Sequence, residues 1–231
     1  MTSVRYVAAA IGLAIGSCGW ADVPTADQVI AKCLARYDAA KTYQGTLVIR
    51  IERGDQQTRS TMDLKAENGD NGMIARSAIH LTQSTSGPSG ATSTEMLIID
   101  DGTTIFTVDS KNKEYWEQPH GGDRISGMFR QMTENARRSV SLLKVTQERF
   151  HNRPVYRVAG SGVSGAVSIV VDRVTYQIYT AGGSGGVGAA RFRSELTATN
   201  QAFNKPIGAA EFTWSPPAGF VKHEGAGQGK P

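Results

Sequence analysis

Gly182-Gly183-Ser184-Gly185-Gly186 matches the G-x-S-x-G pattern, in which a serine on a sharp strand-to-helix turn serves as an acyl-transfer nucleophile. That chemistry needs a base and a following helix. Here the match lies in a glycine-rich stretch without a helical pattern after it, and His80, His120, His151 and His223 all lie elsewhere in the chain. Gly183, Gly185 and Gly188 also fit G-x-G-x-x-G, but the next segment alternates like a strand instead of opening a helix at a pyrophosphate. The histidines show no metal-ligand spacing with one another or with Cys33. Asp100-Asp101 precedes Gly102, where aspartate is expected for turn chemistry alone. The residue types therefore point away from catalysis, and no catalytic residue, metal ligand or cofactor is assigned.

The elements that would position any site come from a chain of 231 residues with 39% hydrophobic residues, enough for a sizeable core in one domain. A net charge of +4, dispersed along the chain, gives no argument for nucleic acid. Arg5, an apolar run from Tyr6 to Ile15 and Gly19-Trp20-Ala21 read as an export signal over residues 1–21. Ile15-Gly16-Ser17-Cys18 offers a second reading, a bacterial lipoprotein signal with Cys18 as the acylated residue. Cleavage after Ala21 removes Cys18 and leaves Cys33 alone, so stability must come from packing rather than from a disulfide.

Thr25 and Gln28 form a capping box, and Val29, Ile30, Cys33, Leu34 and Tyr37 share one helical face. From Tyr43 the period changes to two. Leu47, Ile49 and Ile51 alternate with polar residues, as do Met62, Leu64 and Ala66, which predicts a hairpin. A third strand is expected over Met73 to Leu81, then a polar loop from Ser84 to Thr94 and strands at Met96 to Ile99 and Thr104 to Val108. Ile125, Met128, Phe129, Met132 and Ala136 recur at helical spacing. Strands resume at Val145, Val155, Val167 and Tyr176, with a turn at Asn152-Arg153-Pro154. A glycine-rich loop is expected over Gly182 to Gly188, final strands over Arg191 to Thr199 and Glu211 to Trp214, and a disordered tail over 222–231.

An N-terminal helix leading to Tyr43-Gln44-Gly45-Thr46, then Leu97-Ile98-Ile99-Asp100-Asp101-Gly102-Thr103-Thr104-Ile105-Phe106, then Phe212-Thr213-Trp214-Ser215-Pro216-Pro217-Ala218-Gly219, resembles the LolA-like periplasmic lipoprotein carriers, the outer-membrane lipoprotein-sorting family. The resemblance runs from about Thr25 to Val221 and implies a single domain over 22–221. It would be mainly β with a few helices, a curved, incomplete antiparallel β-barrel whose apolar concave face is lidded by helices. It further implies a monomeric periplasmic carrier that takes acyl chains of lipoproteins or other lipids from an inner-membrane donor to an outer-membrane acceptor.

On that reading Leu47, Ile49, Ile51, Met62, Leu64 and Ile79 line the lipid site, and Met128, Phe129 and Met132 close over it. Carriers of this family have an Arg-Pro after the second strand, tied to lid movement, whereas Glu67 to Met73 holds neither residue. They also carry an aromatic residue and proline after Asp-Gly, where this chain has Phe106, Val108 and Ser110. Lipid binding carries over more readily than the carrier cycle. Two alternatives stay open: a sensor or interaction module like RseB, and an anchored acceptor like LolB if Cys18 is acylated.

Overall fold

Thr25 begins the first element in the way its sequence dictates. In the computed structural model its hydroxyl accepts the Gln28 N–H, while the Gln28 side chain accepts the Thr25 N–H at 2.9 Å. The structure describes residues 23–122, 124–127, 129–130, 134, 142–162, 165–186 and 191–224. The capped helix α1 spans Ala26–Asp38 and buries Val29, Ile30, Cys33 and Tyr37, the face that the spacing predicts.

Eleven strands follow in a meander: β1 (Thr42–Arg53), β2 (Gln56–Asn68), β3 (Ile74–Gly87), β4 (Gly90–Asp100), β5 (Thr104–Asp109), β6 (Glu114–Pro119), β7 (Lys144–Phe150), β8 (Arg153–Gly162), β9 (Gly165–Asp172), β10 (Ile178–Gly185) and β11 (Phe192–Phe203). A short β12, Val221–His223, completes one twelve-stranded sheet ordered β12-β6-β5-β4-β3-β2-β1-β11-β10-β9-β8-β7. Every pairing is antiparallel except β12 on β6. β7 and β12 stay apart as the two outer strands, so the curved sheet is an unclosed barrel.

Each face has its own cover. On the inner face α1 packs against Tyr43, Leu47, Leu64 and Ala66 of β1 and β2 and against Val158, Ile169, Ala181 and Leu196 of β8 to β11. On the outer face Ala78, Ile99 and Phe212 form a second core with Leu97, Phe106, Ile207 and Trp214 around it. Phe212 and Trp214 belong to the segment after β11. Its Trp214 ring lies 5.4 Å from Phe106 and 5.2 Å from Tyr115.

Several expectations change. The Ser84 to Thr94 stretch is not a loop: Ser84 pairs with Ser93 and Thr85 with Thr92 in a long β3–β4 hairpin. Threonine suits a pleated strand as well as a turn, so its polarity misleads. Glu211 to Trp214 is not a strand, because Ala209–Phe212 forms a 3₁₀ turn that drives Phe212 into the outer core. Gly182 to Gly185 lies in β10 rather than in a loop. A Cβ at Gly182 would stand 2.5 Å from the Ser194 carbonyl oxygen, so glycine there permits close strand approach.

The turn expected at Asn152-Arg153-Pro154 sits at His151 and Asn152, with φ of 47° and 63°, and Arg153 and Pro154 already pair in β8. Lys222 and His223, assigned to the tail, form part of β12. Residues 1–22 and 225–231, with the export signal, Cys18 and the rest of the tail, lie outside the described residues.

The outer strap is part of the fold on this account. Phe212→Ala removes a ring with no solvent exposure and should cost about 3–5 kcal/mol in urea unfolding. A loss under about 1 kcal/mol would show that residues 204–220 do not contribute to the core.

Candidate functional site

Tyr37 fixes the position of α1 on the inner face. Its hydroxyl donates to Gln201 Oε1 at 2.8 Å and accepts the Ile178 N–H at 3.2 Å, while Gln201 Nε2 donates to the Ile178 carbonyl at 2.8 Å. Its ring meets Phe129 at 4.3 Å, Phe203 at 5.3 Å and Tyr43 at 5.7 Å. Gly45 leaves the space that the Tyr43 side chain fills, since a Cβ there would lie 2.5 Å from the Tyr43 hydroxyl. This gives a physical role to Tyr43-Gln44-Gly45.

The segment after β6 is tied to the same end of α1. Ser126 and Arg130 both hydrogen-bond the Asp38 carboxylate, the latter at 3.1 Å, and Ile125 and Phe129 are buried beside Tyr37. The backbone is helical at Gly127, Phe129, Arg130 and Glu134. Phe129 therefore sits as expected on the inner face, but as a core side chain 1% exposed. Met128 and Met132 lie outside the described residues.

The pairing register sets the rest of the site, because directly opposed residues share a face. One inner row runs Leu64, Ile79, Ile98, Thr107, Trp116 across β2 to β6, and Trp116 stacks on His223 of β12 with ring centres 5.4 Å apart. The next runs Leu47, Met62, Leu81, Met96 across β1 to β4. Among the described residues the core under α1 includes Leu47 and Leu64 and reaches Ile49, Met62 and Ile79 at its margin. Beyond that margin Leu81, Met96, Ile98 and Trp116 continue the apolar ribbon only half-buried.

The expected lipid-facing residues thus divide. Leu47, Leu64 and Phe129 are packed core; Ile49, Met62 and Ile79 border the ribbon; Ile51 stands at the far end of β1, 41% exposed. Leu81, Met96, Ile98 and Trp116 were not foreseen. The alternations Ile79-x-Leu81 and Met96-x-Ile98 signal two of the positions on each strand, but only the register shows that they adjoin.

The residues weighed for catalysis are used structurally. Ser184 lies within β10, paired with Ala166 and Arg193, and the next described element is β11. Asp101 caps the β4–β5 turn by accepting the Thr103 and Thr104 N–H groups, which hold its carboxyl below the usual carboxylate range. Asp100 is buried, accepting the Gly102 N–H and contacting His120 Nδ1 at 2.9 Å. Among the described residues no group of three or more His, Cys, Asp or Glu side chains is placed to hold a metal.

No protein-family model matches this chain, and no curated protein matches it. Solved structures do resemble it. They include a putative outer membrane lipoprotein-sorting protein domain from Vibrio parahaemolyticus, 9% identical with a TM-score of 0.31, over 80% of this chain and 94% of that one. LprF from Mycobacterium bovis is 9% identical with a TM-score of 0.46, over 79% of this chain and 94% of that one. MucB of Pseudomonas aeruginosa, solved with MucA, is 15% identical with a TM-score of 0.43, over 82% of this chain and 62% of that one. A LolA superfamily protein from Nitrosomonas europaea is 12% identical with a TM-score of 0.33, over 83% and 99% of the two chains. Likenesses this distant leave function to be argued from the inner face itself.

Burial under α1 gives the site a pH signature. It pushes the Cys33 thiol from 9.0 up to about 12 and raises the Tyr37 and Tyr43 phenols well above their ordinary value. The folded state then keeps protons that the unfolded chain releases, so this contribution is complete below the unfolded values and is lost as pH rises through the folded ones. The thermal midpoint should hold steady from about pH 7 to 8 and fall between about pH 9 and 12, and native Cys33 should resist thiol reagents throughout the lower range. Rapid native labelling at about pH 8 would contradict the packing of α1.

Proposed function

We propose that this protein is an exported lipid-binding protein of the periplasm that shields acyl chains on the inner face of its open sheet while they travel towards the outer membrane. The observation that carries the reading is the ribbon Met62, Ile79, Leu81, Met96, Ile98, Trp116, half-buried beside a fully packed core. A row of apolar side chains left part-open beside a tightly covered core loses stability to water unless something apolar joins it. Two of its members are methionines, whose flexible thioethers suit chains of varied shape.

The reading also fits the export signal and the resemblance to lipoprotein-sorting carriers. Tyr37 against Phe129, and Asp38 against Ser126 and Arg130, hold α1 and the segment after β6 together. The missing Arg-Pro after β2 favours acyl binding over the carrier family's own lid cycle. In its place Arg76 pairs with Glu67 at 2.6 Å and lies over Phe212 on the outer face. The donor and acceptor would be membrane-bound partners at either end of the transfer.

Leu81→Glu tests this reading without opening the packed core. A carboxylate against an acyl chain costs several kcal/mol, more than a few methylene contacts at about 0.8 kcal/mol each return. Uptake of a fluorescent C16 fatty acid should fall by at least about tenfold, with unfolding free energy changed by no more than about 1 kcal/mol because Leu81 is half-exposed. Equal uptake by variant and wild type would remove the ribbon as the binding surface.

A further inference from the structure

The apolar ribbon stops abruptly along the strands. The row after Leu47, Met62, Leu81, Met96 runs Ile49, Ser60, Gln83, Thr94, and the next runs Ile51, Thr58, Thr85, Thr92. Rows two residues apart on a strand are about 7 Å apart, so hydroxyls and an amide take over from hydrocarbon within one step. Gln83, Thr92 and Thr94 are exposed, and Ser60, Thr58 and Thr85 are half-buried.

Charge is segregated between the faces of this hairpin arm. Arg59, Asp63, Lys65 and Glu67 on β2, Arg76 and His80 on β3, and Glu95 on β4 all occupy outward positions. From Gln56 to Ile98 the inward positions of the same three strands carry no ionisable side chain. Solubility alone gives no reason for this, because exposed strand positions ordinarily accept Lys or Glu on either face. At the far end Phe192, 40% exposed, pairs with Arg53 on the same face, one row beyond Ile51.

We infer that this uncharged, hydroxyl-bearing surface receives the headgroup of the bound amphiphile, and that the headgroup is a neutral sugar. The inference rests on the acyl-binding reading. Threonine, serine and glutamine side chains donate to and accept from sugar hydroxyls, and an exposed phenyl ring offers an apolar plane to the C–H face of a sugar. A phosphate or carboxylate headgroup would instead call for cations, and none stands among the inward positions of β2 to β4; the inward cation of β1, Arg53, lies one row beyond Thr58, Thr85 and Thr92. With the tail on Leu81, Met96 and Ile98, the head falls on Gln83, Thr94 and Thr92 one or two rows along the same strands.

The test is calorimetric titration of the purified full chain with dodecyl maltoside, dodecyl phosphate and dodecanoate, each below its critical micelle concentration. The maltoside should bind at least about tenfold more tightly than either anion. The double variant Gln83→Ala/Thr94→Ala, changed only at exposed positions, should weaken the maltoside at least about fivefold and leave dodecanoate within about twofold. Leu81→Glu should weaken all three. Either anion binding as tightly as the maltoside, or a maltoside affinity untouched by the double variant, would overturn the sugar headgroup while leaving acyl binding in place. Failure of all three amphiphiles to bind the wild type would overturn the acyl-binding reading, and the headgroup with it.

Discussion

The hydroxyl of Tyr37, buried between Gln201 and the backbone of Ile178, determines where α1 sits on the sheet. A buried phenol must find partners, and these lie on β10 and β11, so α1 is drawn over that half of the inner face. With thirteen residues at about 1.5 Å each, α1 is about 20 Å long, whereas twelve strands at about 4.8 Å span more than twice that width. The helix therefore packs β1, β2 and β8 to β11 and leaves β3 to β6 to other cover. The half-open ribbon is the consequence of that shortage.

The outer face meets the same constraint differently. There the chain after β11 returns across β3 to β6 and seals Ala78, Ile99 and Phe106 under Phe212 and Trp214, with Lys65 and Glu211 pairing at 2.7 Å. The same strands thus carry a covered apolar patch outside and a part-open one inside. From Gln56 to Ile98 on β2 to β4 the charged residues go to the outer side, where they hold the strap or meet water. The inner side of that stretch keeps hydrocarbon and neutral polar groups, whereas Asp109 and Glu114 lie inward on β5 and β6.

Much of this was legible in the residues. The capping box, the buried stripe of α1, the β1–β2 hairpin and the antiparallel meander follow from local chemistry and period. Two elements differ from their local signal for one reason: polarity and propensity carry no information about pairing. Ser84 to Thr94 looks like a loop by composition yet pairs on both sides of a two-residue turn at Pro88 and Ser89, and Phe212-Thr213-Trp214 looks like a strand yet forms a 3₁₀ turn and an extended strap because its rings have an outer core to fill. Leu47, Ile49 and Ile51 alternate perfectly, but the sequence holds no measure of how far α1 reaches along β1, so one is core, one is margin and one is exposed. Phe129 was placed on the right face with the wrong neighbour in view, since its contact with Tyr37 spans 92 residues of sequence. The ribbon residues Leu81 and Met96 needed the register, which no local signal carries.

Photo-crosslinking of the wild-type protein with a diazirine-bearing fatty acid, followed by peptide mass spectrometry, tests the central claim most directly. Labels concentrated on Met62, Leu81, Met96 and Ile98 are the expected result. Labels confined to the outer strap around Phe212 and Trp214, or scattered over both faces alike, would contradict the account.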